Sequence, residues 1–126
     1  MKFTPLLMVL ATLAGLQGCS TGPVNSQLLG ERYFVTNIDT YPVLIASVDG
    51  QSSTVRPQFV EPGTRRLVLQ GPPGGAGVSA VEPFTLDIKP CTRYYIVAVK
   101  ANPLDTNFTP RVDYEMPLGS SCKAPT

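Results

Sequence analysis

Prolines at 42, 57, 62, 72, 73, 83, 90, 103, 110 and 117 constrain this chain more than any other feature, because they fall mostly between short apolar runs. Proline lacks a backbone donor and fixes φ, so it breaks helices and interior strands but suits turns and strand ends. No stretch between these prolines carries a helical period over eleven or more residues, whereas several read as strands. RYFVTNI (32–38) is β-branched and aromatic. PVLIASVDG (42–50) ends in an Asp-Gly turn, and PQFVEPG (57–63) is a short strand with a Pro-Gly turn. TRRLVLQG (64–71) alternates, with Leu67 and Leu69 on one face and Arg66, Val68 and Gln70 on the other. FTLDIK (84–89) alternates most cleanly, with Phe84, Leu86 and Ile88 inward. RYYIVAVKA (93–101) is apolar on both faces, as a central strand is, with Tyr94 and Tyr95 on opposite sides. RVDYEM (111–116) alternates again. About seven short strands separated by turn signals predict an all-β fold, a single antiparallel β-sandwich. KPCTR (89–93) is expected to close a hairpin, with Cys91 in the turn.

The first residues follow different rules. Lys2 precedes LLMVLATLAGL (6–16), an apolar run of 11 residues that ends in small ones. A secretory leader has an apolar core of roughly 7–15 residues, whereas a membrane-spanning helix needs about 20. Extending the run would carry it through Gln17, Gly18, Ser20, Gly22 and Pro23, where helix propensity collapses. Export is therefore expected. Leu16, Gln17, Gly18 and Cys19 resemble the bacterial lipobox, although Gln17 stands where a small residue is usual. The resemblance implies diacylation of the Cys19 thiol, cleavage before Cys19, and passage to the outer membrane, since Ser20 is not the Asp that retains such proteins at the inner membrane. One myristoyl chain binds membranes only marginally, at about 10⁴ M⁻¹, and two or three anchor stably without a basic patch. The expected organisation is a lipoprotein signal peptide over 1–18, a lipid-anchored tether over 19–30 and a β-sandwich domain over 31–126. The protein is expected on the outer membrane, facing the periplasm, with surface exposure left open.

Removing the first 18 of 126 residues leaves 108, one domain with one modest core, carrying nine basic and nine acidic residues. With no net charge and no basic run, nucleic acid is a poor partner. Cys91 and Cys122 remain as an even pair in an oxidising compartment, without a Cys-x-x-Cys motif or any histidine beside them. They are expected to form a structural disulfide that ties the C-terminal tail to the turn at Cys91. VDG, VEPGTRRLVLQ and FTLDIKPCTRYYIVAVK, over residues 42–100, resemble the PEGA-type and related small sandwich domains of bacterial envelope proteins. That resemblance implies the fold and says little about function, because its motifs are turn chemistry on strands.

Motifs that suggest chemistry each have a plainer explanation. GPPGGAG (71–77) lacks the Lys and helix of a phosphate loop, and its prolines remove donors. Ser120 and Lys123 have the Ser-x-x-Lys spacing of penicillin-binding enzymes but no following helix to hold them. Asn107, Phe108 and Thr109 form a glycosylation sequon that the lipobox makes irrelevant. Asp105, Asp113 and Glu115 lack the pattern of a calcium loop, and Asp113 and Glu115 are expected on a solvated strand face. Arg66, Lys89 and Arg93 are a candidate polar patch. With no histidine as general base and no paired nucleophile, no enzyme activity, cofactor or metal is expected. The expected role is a binding or scaffolding accessory in the envelope, acting through the loops 71–80 and 101–110 on an envelope protein. The alternative is a small-ligand-binding or enzyme-inhibitor lipoprotein.

Overall fold

The computed structural model describes residues 24–120 and Cys122; Cys19, the leader and Lys123 lie outside the described residues. Eight strands follow in chain order: β1 Ser26–Leu29, β2 Thr40–Pro42, β3 Leu44–Val48, β4 Gln58–Val60, β5 Gly63–Gln70, β6 Val81–Ile88, β7 Thr92–Val99 and β8 Thr109–Pro117. They form two sheets. In the larger, β7 is central: β8 lines one side, while β1 and β2 share the other, and β4 lies beyond β1. The smaller has the order β3-β5-β6. The chain is therefore all-β and sandwich-like, with one departure from a purely antiparallel arrangement, since β1 runs parallel to β7.

The core lies between the sheets, as the alternation requires. Leu28, Val60, Tyr94, Ile96 and Ala98 from the larger sheet meet Ile45, Val48, Leu67, Leu69 and Ile88 from the smaller. Leu67 and Leu69 are fully buried while Arg66 is exposed, and Phe84 and Leu86 pack against the core while Thr85 and Asp87 face solvent. Asp49 and Gly50 both have positive φ, 49° and 82°, and Val48 and Gln51 exchange two backbone hydrogen bonds of 2.9 Å. That is a type I′ turn, which needs left-handed backbone at both central positions. Gly50→Ala is expected to cost about 1–2 kcal/mol, because a Cβ disfavours that conformation. Urea unfolding measures it.

Three expectations need correction. Ser26–Leu29 is not tether. It is a strand between β7 and β4, with Ser26 and Leu28 fully buried. Four residues of mixed polarity carry no period long enough to read, and tertiary pairing decides them. Residues 32–38 are not a strand. They form a loop over the outer face of the larger sheet, and the Tyr33 and Phe34 N–H groups donate to the Asp113 carboxylate, not to a ladder. Residues 89–93 do not close a hairpin. β6 and β7 belong to different sheets, and Cys91, with φ of 53°, turns the chain from one to the other. β1 and the Tyr94 ring satisfy that crossing. The Ser26 hydroxyl donates to the Lys89 carbonyl and accepts from the Thr92 N–H at 3.0 Å. The Tyr94 hydroxyl accepts from the Lys89 N–H at 2.8 Å, and the Cys91 N–H donates to the Val24 carbonyl at 3.1 Å. Buried backbone groups need partners, and these supply them without a paired strand.

Cys91 and Cys122 lie at disulfide distance, with Cα atoms 5.6 Å apart. The Leu118 N–H donates to the Cys91 carbonyl, so the tail after β8 folds back on the sheet crossing. Val24, Cys91 and Cys122 thus share one end of the sandwich.

Candidate functional site

The other end is built by two hairpins, one from each sheet. β5 and β6 pair from Gly63↔Ile88 to Gln70↔Val81, and the loop 71–80 joins them. β7 and β8 pair from Thr92↔Pro117 to Val99↔Thr109, joined by residues 100–108. The two loops that the sequence singled out separately meet here. The Gly75 N–H donates to the Leu104 carbonyl at 2.8 Å, and the buried Lys100 ammonium donates to the Pro72 carbonyl at 3.1 Å. Phe108 is buried where its ring lies over Gly71; a Cβ there would approach the ring to 2.5 Å. Each loop is also tied internally. Gly74 bonds Val78, Gly77 bonds Gly74, and the Asn102 carbonyl and side chain accept from Asp105 and Leu104. The product is one ordered surface from which Leu104, 69 % exposed, and Val78, 57 % exposed, project. Such a surface offers apolar anchors on a fixed backbone.

The outer face of the larger sheet holds a second feature. The register of β7 and β8 shifts between Tyr95↔Tyr114 and Ile96↔Val112, so Asp113 is the extra residue of a β-bulge. A bulge re-aims its side chain. Asp113 accordingly does not face solvent, as strict alternation would have it; its side chain is only 1 % exposed. It accepts from the Tyr33 N–H at 2.8 Å, the Phe34 N–H at 3.0 Å, the Asn37 side chain at 3.3 Å and Arg111 at 3.4 Å. Burial opposes its ionisation, but these donors together outweigh burial and hold the carboxyl below its ordinary range. The loop that Asp113 secures lays Tyr33 over the sheet. The Tyr33 ring stacks on Tyr114 at 4.2 Å and meets Tyr95 and Phe34 edge-on at 5.1 and 5.0 Å. Tyr94, on the opposite side of β7, is core, and its hydroxyl reaches Lys89, so the two tyrosines divide as their parity demands.

Comparison with protein-family models, with curated proteins and with solved structures returns no match. The chemistry of the site is therefore carried by its own geometry.

The remaining candidates are dispersed. Arg66, Lys89 and Arg93 do not form one patch. Arg66 lies on β5 in the smaller sheet, Lys89 pairs with Glu115 at 2.6 Å, and the Arg93 guanidinium donates to the Gln27 side chain at 3.0 Å. The Glu115 carboxylate raises the Lys89 pKa through that hydrogen bond. Glu115 is partly exposed, as its strand position implied, and Asp105 is exposed in its loop. Asp105, Asp113 and Glu115 do not converge, and among the described residues no group of three potential metal ligands does. At the Val24 end, the Asp49 carboxylate accepts from the Arg66 N–H and from Arg65, which lower its pKa in that order. Arg65 also donates to the Glu61 and Pro62 carbonyls, so it joins the Asp-Gly and Pro-Gly turns.

A cleft of about 460 Å³ opens between the sheet edges at β3 and β4, beside residues 51–55. Val48, Val55, Phe59 and Val60 give it apolar walls. Gln58 also lines it; this residue is buried, and its amide oxygen has no hydrogen-bond partner. Sequence reading did not find Gln58 and put Asp113 on a solvated face, because register shifts and sandwich edges leave no local signature.

Proposed function

We propose that this chain is a non-catalytic lipoprotein of the bacterial envelope, anchored through Cys19 on the outer membrane and facing the periplasm. It acts as a binding or scaffolding accessory, and its contact surface is the joined loop end. The observation that carries the reading is the Gly75–Leu104 hydrogen bond, which fuses two loops into one presenting surface. Its position supports the role. The described chain begins at Val24, beside Cys91, at the opposite end of the β7–β8 ladder from these loops. An anchor at Cys19 therefore leaves the loop end clear for a protein partner. The PEGA-type resemblance agrees with an envelope setting.

Leu104→Glu together with Val78→Glu is the direct test. Both side chains are exposed, so folding should be unaffected, and a partner recovered from detergent-solubilised envelope should be lost. Recovery of the same partner by the double variant would contradict the assignment of the surface.

The cleft at Gln58 favours a second reading, a small-ligand-binding or inhibitor module. Its volume falls in the range of small-molecule sites, roughly 300–1,000 Å³. The unpaired amide oxygen would accept from a ligand N–H or O–H. Binding of a small ligand lost on Gln58→Leu, with the loop variants unaffected, would support that reading over the first.

A further inference from the structure

We propose that the loop 31–39 is a membrane-contacting patch which lays the outer face of the larger sheet against the lipid headgroups. The proposal rests on the reading of Cys19 as the anchor. Val35 is 71 % exposed and Ile38 is 81 % exposed, and Tyr33, Phe34 and Tyr114 show a third or more of their surface beside them. Apolar side chains exposed together in one short segment are the kind of surface that interaction sites present. The loop does not hang free. Asp113 fixes its backbone at Tyr33 and Phe34, and the rings brace one another against Tyr95. Beneath it Val97, on the outer face of β7, is fully buried. The apolar side chains are thus held outward by a rigid support, and the fold spends a buried carboxylate on holding them there.

The occupant follows from where the chain leads. Cys19 precedes Val24 by five residues, a reach of at most about 18 Å. β1 then runs from that end straight to Gly30, where the loop starts. An anchor so short keeps the sandwich beside the bilayer, and the nearest large apolar surface along the chain is this loop. Glu31, Asp39 and the ionised Asp113 outnumber Arg32 and Arg111 around it by one, so the patch offers no cationic face to headgroup phosphates and recognises the apolar–polar boundary of a membrane more than headgroup charge. Aromatic rings with polar edges, flanked by aliphatic side chains, suit that boundary.

The first experiment uses the full acylated chain reconstituted in phosphatidylethanolamine–phosphatidylglycerol vesicles with brominated acyl chains. The sequence contains no tryptophan, so Val35→Trp adds a single indole. Its emission is expected to shift to the blue and to be quenched by bromine, while Val78→Trp at the loop end is not. An unquenched Val35→Trp, or equal quenching at both positions, overturns the proposal. The second experiment separates patch from anchor. The mature chain 19–126 with Cys19→Ser contains every strand and both disulfide cysteines, and is expected to sediment with the same vesicles. Val35→Ser with Ile38→Ser should reduce the bound fraction at least about tenfold, with the thermal transition unchanged. Equal sedimentation of the two proteins, or binding to peptidoglycan sacculi and not to vesicles, overturns the patch. Absence of acyl mass on the purified chain would instead refute the anchor, and the second experiment would still decide the patch.

Discussion

Asp113→Ala is expected to lower the stability of the domain by about 2–3 kcal/mol, the scale of hydrogen bonds to a charged group whose partners are left behind. In a domain of this size that is a fall of roughly 10–20 °C in the thermal midpoint. The effect should be local as well as global: the Tyr33 and Phe34 amides, which donate to the carboxylate, should lose protection from hydrogen exchange. It should also depend on pH. The folded-state carboxyl lies below its ordinary value of 3.8, so its stabilisation is complete above that value and is lost as pH falls through the lower folded value. Asp113→Asn should therefore flatten the acid limb of the stability curve. A wild-type curve that the Asn variant reproduces would show that the buried charge does not hold the loop.

Joint replacement of Cys91 and Cys122 by alanine is expected to cost more. The cysteines are 31 residues apart, and closing a loop of that length removes about 3.7 kcal/mol of entropy from the unfolded chain in the chain-entropy model. For a single domain with one modest core, this is a large share of a net stability of roughly 5–15 kcal/mol. The bond also joins the tail to the point where the chain passes between sheets, so Leu118 and the crossing at Cys91 should loosen before the β5–β6 ladder does. Urea unfolding of the oxidised protein and the double variant measures the difference. Equal midpoints would mean that the hydrogen bonds around Cys91 hold the crossing by themselves.

What the sequence made legible was what alternation and turn chemistry encode. The faces of β5 and β6 were readable, because Leu67, Leu69, Phe84, Leu86 and Ile88 repeat at the period of a strand with one wet face, although β6 begins at Val81, three residues before the alternation that was read. The Asp-Gly turn was readable because left-handed backbone selects those residues. Pairing was not. β1 is four residues long and takes its place only because β7 and β4 flank it. Residues 32–38 have strand composition, yet their amides go to a carboxylate about eighty positions away. That contact exists because a bulge turns Asp113 toward the loop on the outer face, and a bulge is a property of two strands in register, not of either alone. The two loops were each conspicuous for Pro, Gly and Asn, but their union needed the sheets stacked first. Sequence could nominate the candidate site in pieces, and only the assembled hairpins join them.

In the proposed function an acyl chain on Cys19 holds this sandwich at the membrane, with its loop end free for a partner. Intact-mass analysis of the protein purified from the membrane fraction tests it most directly. The expected product is a chain that begins at Cys19, lacks residues 1–18 and carries the added mass of at least a diacylglyceryl group. A chain that retains residues 1–18, or one that begins elsewhere without lipid, would contradict it.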